Sequence, residues 1–582
     1  MGAIPYTGGV TFRVWAPFAR AVGVAGASGT HPLAGEGNGF WSADVAGAAI
    51  GDEYKLVIDG VPKKDPYGWE VTNSAGSSVV SARDYAWSPA AFAMPPWNEL
   101  VIYELHIGTF TFAPGRRGTF DSAIARLDHV RDLGCNAVQI MPSDEFPGDI
   151  SWGYNPSDLF AIESSYGGHA GLYRFVEAAH ARGLAVVFDV VYNHFGPEDL
   201  DLWRFDGWHL GDNGGGIYFY NDWRIQTPWG SRPDYGRGEV RQFIRDDVLH
   251  WLLDCRLDGL RWDATGWIRN VWGHGRGDPG ADLADGWSLL QWCNGEIDAR
   301  QPWKLSIAED MQDDPSIVAP LSAGGAGFDA QWAAGFMHAL RGIACQVWDD
   351  QRDVGALAGF VAQPLGGAFQ RVLYTESHDE VAASNGGARL PEAIAPGDGE
   401  GYYAQKRSTL AAAVLFVSPG IPMLFMGQEM LAVGAWSDAV ELDWSRADRF
   451  AGIVALYRDL AHLRRNWFDT TRGLRGDCVH VSHVNPIDRV LAIHRWAAGG
   501  ARDDVVTLVN FGARAYDAYR IGLPRPGRWR VRFNSDWRGY SAAFGGHPSY
   551  DLDATSDRAH DGMAWGGDIG IGAYSAIVLS QD

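Results

Sequence analysis

Three stretches of this sequence end an apolar run on residues that can do chemistry. Leu257-Asp258-Gly259-Leu260-Arg261-Trp262-Asp263 closes on an Arg and an Asp two places apart. In a strand, residues two apart face the same side, so Arg261 and Asp263 are expected to emerge together at one strand end. A guanidinium beside a carboxylate keeps it ionised and holds its orientation. Leu305-Ser306-Ile307-Ala308-Glu309 ends on a second acid, and Arg371-Val372-Leu373-Tyr374-Thr375-Glu376-Ser377-His378-Asp379 ends on a His-Asp pair. One acid of this kind is explained as well by an ion pair capping a strand. Three in succession, two of them beside an Arg or a His, point to a shared site. Two carboxyls across a glycosidic bond are the minimal apparatus for glycoside hydrolysis or transfer: one attacks the anomeric carbon and the other protonates the leaving oxygen. The third would bind sugar hydroxyls and grip a distorted ring.

Two more stretches belong with these. Trp152-Gly153-Tyr154-Asn155-Pro156 is a turn that offers Tyr154 as a stacking floor under a sugar ring, or simply packs its aromatics. Asp189-Val190-Val191-Tyr192-Asn193-His194 ends a buried run on a His. A lone strand-end His is more often structural than not. His194 and His378 are read here as neutral groups that hydrogen-bond sugar hydroxyls.

The elements that must position these residues form a series. Strands are expected over 101–105, 137–141, 184–191, 257–263, 305–309, 371–376 and 421–426, with a weaker one at Gly327-Phe328-Asp329. Helical periods lie between them, including 172–182, 240–253 and 284–299. About eight strands alternating with helices imply a parallel (β/α)8 barrel, whose strand C-termini converge on one mouth. The three acids then follow its fourth, fifth and seventh strands. The barrel is expected over 98–465, longer than usual because of its loops, the longest being an aperiodic Gly-, Trp- and Tyr-rich insertion at about 193–238. Residues 1–97 alternate in short strands with turns such as Asp59-Gly60, which reads as an N-terminal β-sandwich, with 86–99 as a linker. Residues 466–582 read as a C-terminal β-sandwich.

Composition limits the partners. The 582-residue chain carries a net charge of −23, which argues against nucleic acid or an anionic membrane and suits a neutral substrate. Its 26 Trp exceed what a core needs and offer stacking platforms; Trp223, Trp229, Trp262 and Trp267 flank the Asp263 strand. The five cysteines are scattered without metal-type spacing, and the N-terminus shows no signal peptide. A cytoplasmic protein with free thiols is expected. No cofactor is expected. No clustered set of oxygen ligands suggests a required metal, although Asn193 could serve as one calcium ligand.

Four stretches carry a resemblance: Asp189-Val190-Val191-Tyr192-Asn193-His194, Gly259-Leu260-Arg261-Trp262-Asp263, Ile307-Ala308-Glu309-Asp310 and Glu376-Ser377-His378-Asp379. In kind and order they resemble the motifs of the α-amylase family of retaining α-glucan enzymes, glycoside hydrolase family 13. The resemblance implies a nucleophile at Asp263, an acid/base at Glu309 and a transition-state stabiliser at Asp379. Tyr154, His194, Arg261 and His378 would line the subsite of the attacked glucose. Val101 to Phe120 and Tyr192 to Pro197 look like malto-oligosyltrehalose trehalohydrolases. Phe12 to Pro17, Lys64 to Tyr67, Ile307 to Asp310 and Glu376 to Val381 look more like 1,4-α-glucan branching enzymes. Gln428, in Leu424-Phe425-Met426-Gly427-Gln428-Glu429, stands where both have Asn or Glu. The resemblance implies a branching-type glucanotransferase on α-glucan or malto-oligosaccharide. The alternatives are a hydrolase of the trehalose-releasing or amylase type and, more remotely, a glucan-binding protein without catalysis.

Overall fold

The computed structural model describes residues 1–582 apart from 28, 89–91, 274–278 and 364–365. Its centre is a closed parallel barrel of eight strands. These are β1 Ile102–Leu105, β2 Ala137–Ile140, β3 Ala185–Val190, β4 Gly259–Trp262, β5 Leu305–Ala308, β6 Ala330–Trp332, β7 Arg371–Leu373 and β8 Ile421–Phe425. Burial on both faces explains why these segments read as continuous apolar runs rather than alternating ones. β6 begins beyond the expected 327–329. That triplet leads into the strand: Gly327 has φ 79°, and Asp329 is already tied to β5, its N–H donating to the Ser306 carbonyl at 2.9 Å and its carboxylate accepting the Ser306 N–H at 2.8 Å.

The connecting helices include Gly168–His180, Gly238–Leu249 and Ala284–Arg300. The helical period expected over 240–253 changes at its end into a π turn, His250–Asp254. No helix among the described residues is long and apolar enough to cross a membrane.

Two antiparallel sheets precede the barrel. In the strand Gly9–Trp15, Val10, Phe12 and Val14 are buried, and Phe12 meets Tyr54 of the other sheet edge-on at 4.9 Å. The Asp59-Gly60 hairpin has φ 47° and 86°, the paired positive values of a type I′ turn. The stretch expected as a linker is docked rather than free. Trp87 packs on Tyr173 at 5.2 Å and Phe92 stacks on His180 at 4.0 Å, both on the helix Gly168–His180; residues 89–91 of that stretch lie outside the described residues.

The insertion at 193–238 has little regular structure but buries Phe195, Phe205, Tyr218, Phe219, Tyr220 and Tyr235. It joins the first sheets to the barrel. Asp206 accepts the Phe18 N–H at 2.9 Å, Asp201 accepts the Lys64 N–H at 2.7 Å, and Trp208 stacks on Phe18 at 4.5 Å. After the barrel, a six-stranded sheet from Cys478–Asn485 to Ser575–Ser580 faces the pair Tyr516–Leu523 and Trp565–Ile571 across a core that includes Leu508, Ile521, Trp529 and Leu579.

Candidate active site at the barrel mouth

Strand register builds the site in layers. Asp189 on β3 lies opposite Arg261 on β4. Both are fully buried, and Arg261 Nη1 donates to Asp189 Oδ1 at 2.8 Å and Oδ2 at 2.7 Å. The same nitrogen donates to Asp263 Oδ1 at 3.0 Å, as the two-residue spacing requires. Its partner Nη2 lies 3.3 Å from Glu309 Oε2 at the end of β5. The Tyr154 hydroxyl donates to Asp189 at 2.7 Å and accepts from Arg261 at 3.2 Å. Trp332 of β6 lies against the guanidinium at 4.4 Å. One buried cation thus touches three acids.

Asp263 is held from a second side. The Asn193 amide donates to Asp263 Oδ2 at 2.6 Å and to its main-chain oxygen at 2.9 Å. The calcium-ligand reading of Asn193 is not supported by this arrangement: its other amide atom, Oδ1, is already against His194 Nδ1. Ala264, directly after Asp263, has φ 41° and ψ 50°, a left-handed conformation that costs a non-glycine residue energy. The twist aims its N–H at Glu309 Oε2, 2.6 Å away. Burial pushes the Glu309 carboxyl up; Arg261 opposes this, Asp263 and Asp379 add to it, and the result is about 8. Asp189 is likewise raised by burial, against Arg261 and with Asp263, to about 7.

Asp379 follows β7 and is the open member of the three, with a side chain 44% exposed against 13% for Asp263 and 10% for Glu309. His378 Nε2 lies 3.6 Å from Asp379, and its Nδ1 bonds Glu104 of β1 at 2.7 Å. Burial disfavours charge on this imidazole, but Asp379 and Glu104 outweigh it and raise the ring to about 9. His378 is therefore a cation at neutral pH, where the sequence suggested a neutral ring. It stacks on Tyr154 at 5.0 Å and 25°. Burial lowers the pKa of His194, against the pull of Asp263. Both its nitrogens are engaged within the protein, with Asn193 and, at 2.7 Å, with the Tyr154 carbonyl. It clamps the Tyr154 turn to the Asn193 strand end.

Of the four tryptophans expected as platforms, Trp262 is fully buried between Tyr192 and Phe328. The period that points Arg261 and Asp263 inward must point Trp262 outward, under the helices. Trp229 is 47% exposed and bridges His194 at 5.6 Å and the half-buried Trp267 at 5.5 Å. Trp223 is exposed further out, against Trp272. Gln428 does not face the site: its amide donates to Thr375 at 2.8 Å and ties β8 to the end of β7. The sequence reading gave no role to Asp189 or Glu104, the partners of Arg261 and His378.

Residues 72–204 match the family model described as alpha amylase, catalytic domain, and residues 480–582 that described as alpha amylase, C-terminal all-beta domain. A malto-oligosyltrehalose trehalohydrolase of Saccharolobus solfataricus is 33% identical over 453 residues, covering 72% of this chain and 73% of the relative. A 1,4-alpha-glucan branching enzyme GlgB of Corynebacterium jeikeium is 30% identical over 624 aligned positions, covering 99% of this chain and 82% of the relative. A pullulanase from Anoxybacillus sp. LM18-11, solved with maltotetraose, shares the fold, with a TM-score of 0.77, 21% identity and coverage of 100% and 87%.

The shared cation generates a stability prediction. Arg261→Met leaves Asp189 buried without its partner and is expected to cost about 3–5 kcal/mol. Adding Asp189→Asn should recover part of that loss, because the two side chains act as one unit. Urea unfolding of the single and double variants measures the coupling; strictly additive losses would contradict it.

Proposed function

The chain belongs to the α-amylase family, glycoside hydrolase family 13, and we propose that within it the protein is a retaining glucanotransferase of the 1,4-α-glucan branching type. The observation that carries this reading is the guanidinium shared by Asp263, to which it donates, and Glu309, which burial keeps protonated. Glu309 gives its proton to the glycosidic oxygen while Asp263 attacks the anomeric carbon, forming a glycosyl ester and releasing the leaving chain. Glu309, now a carboxylate, takes the proton of an acceptor hydroxyl as that oxygen displaces Asp263. Asp379 and the cationic His378 offer charged contacts for the hydroxyls of the attacked glucose, with Tyr154 beside them. The steps as written use no cofactor.

Branching-type transfer, rather than hydrolysis, is supported by identity to GlgB branching enzymes along nearly the whole chain. It is also supported by Trp229, exposed at the rim beside Trp267. The trehalohydrolase relative favours a second reading, hydrolysis of malto-oligosyltrehalose. Five free cysteines support a reducing, cytoplasmic setting.

Asp263→Asn, nearly isosteric but unable to form the ester, is expected to lower turnover by about 10⁴-fold or more with the circular dichroism spectrum unchanged. On amylose, the parent enzyme should abolish iodine staining while reducing ends stay nearly constant, and isoamylase should then release short chains. A reducing end for every bond broken would make it a hydrolase. Free trehalose from malto-oligosyltrehalose alone would select the second reading.

The acid/base assignment sets the alkaline limb of the pH profile. Glu309 must carry a proton in the free enzyme, so kcat/KM should hold below about 8 and fall tenfold per unit above it. A limb that stays in place in Glu309→Gln, measured on an activated substrate that needs no proton, would assign the titration to another group.

A further inference from the structure

Away from the mouth, three side chains converge that the reaction does not use. His169 opens the helix Gly168–His180, His250 opens the π turn at the end of the helix Gly238–Leu249, and Cys255 follows that turn. We propose that His169, His250 and Cys255 form a structural site for a zinc-type divalent cation, held by two imidazole Nε2 atoms and a thiolate.

Spacing is the first support. Zinc binds nitrogen at about 2.0–2.1 Å and sulfur at about 2.3 Å in a tetrahedron, which places N···N at about 3.3 Å and N···S at about 3.6 Å. His169 Nε2 and His250 Nε2 are 3.0 Å apart, and Cys255 Sγ is 3.6 Å from His250 Nε2. All three donor atoms lie within 4.8 Å of one another, and a small rotation of the thiol closes the remaining edge.

Proton placement is the second. His250 Nδ1 is 3.1 Å from the Asp254 carboxylate. A carboxylate only accepts, so Nδ1 carries the hydrogen and the Nε2 lone pair faces the cluster. A carboxylate behind a histidine is the outer partner that metal-bound imidazoles use. The His169 ring donates toward the Trp69 backbone, although its buried Nδ1 makes no hydrogen bond of close geometry. A simple hydrogen bond from His169 Nε2–H to His250 would leave Nδ1 without the proton that the Trp69 backbone accepts. A cation between the rings moves the hydrogen to Nδ1 and satisfies both Nε2 atoms.

The surroundings are the third. Trp69 of the N-terminal sheets roofs the cluster, 4.2 Å from His250 and stacked on His169 at 5.9 Å. The Tyr173 hydroxyl is hydrogen-bonded to Cys255. Two imidazoles and a sulfur favour zinc over the hard cations that want oxygen. Binding would expel the thiol proton to solvent and join two barrel helices under the first sheets. π turns commonly sit at functional sites.

The test uses the full chain, stripped with a chelator and titrated with zinc or cobalt(II) chloride. Mass spectrometry should find about one zinc per chain after desalting, and cobalt should give a thiolate charge-transfer band in the near ultraviolet. Zinc should raise Tm by several degrees through mass action. Cys255→Ser should lose the cobalt band and the Tm shift with glucan turnover unchanged. His169→Gln, at the partly buried start of its helix, should lose the zinc and gives a second readout if Cys255→Ser does not fold. Less than about a fifth of a zinc per chain at saturation, or an undiminished band in Cys255→Ser, would reduce the cluster to a hydrogen-bonded chain and overturn the site.

Discussion

Everything at the mouth depends on one buried guanidinium being too little charge for the acids around it. Arg261 contacts Asp189, Asp263 and Glu309, all of them shielded from water. Three ionised carboxylates around one cation would leave a net negative charge in a low-dielectric site, a cost that protonation relieves. The protons are not shared evenly. Asp263 takes hydrogen bonds from Arg261 and from the Asn193 amide. Glu309 takes one main-chain N–H and a longer ion pair, and its proton stays on to about 8. Two carboxyls of ordinary chemistry thus acquire different tasks from their neighbours alone, the general route by which one site holds both a base and an acid.

The fold serves that imbalance by fixing which residues are neighbours. Parallel register sets Asp189 opposite Arg261. The sharp left-handed step at Ala264 turns the chain so that its N–H meets Glu309 rather than solvent. Across the mouth, β1 contributes Glu104 to hold His378, so the second cation of the site is anchored from the far end of the barrel sequence. The insertion at 193–238 closes around this cluster and carries Trp229 to its rim, and it is itself braced by the N-terminal sheets through Asp206 and Asp201. A mutation in those first sheets can therefore reach the substrate side of the mouth without touching a reacting atom.

What the sequence made legible follows the same physics. The pair Arg261–Asp263 could be read because a strand has period two, and the barrel because apolar runs alternated with helical ones. Trp262 was misplaced by not applying that period to the residue in between. β6 begins just after Asp329, which already bonds Ser306 of β5 through both its N–H and its carboxylate. The charge on His378 is legible only in part: Asp379, its neighbour in the sequence, is the larger cause, while Glu104, an acid inside an ordinary-looking strand, is brought close only by barrel closure. The His169–His250–Cys255 cluster was invisible for the same reason. Its spacing is a motif in space and not along the chain.

Choosing between water and sugar as the acceptor is then a question about the rim rather than the acids. On the proposed mechanism both fates pass through the same glycosyl ester at Asp263. Water is present at about 55 M, so a sugar hydroxyl prevails only if it is held in line; well-placed acceptors reach effective molarities of about 10⁵ M or more. In that proposal the three acids cannot supply the hold, because they already engage the donor glucose. Exposed aromatic faces can, and Trp229 reaches from His194 to Trp267 at the Asp263 loop. On the proposed transferase reading, acceptor hold would rest on a loop that the N-terminal sheets brace. It would give those sheets a part in acceptor choice even where they touch no sugar.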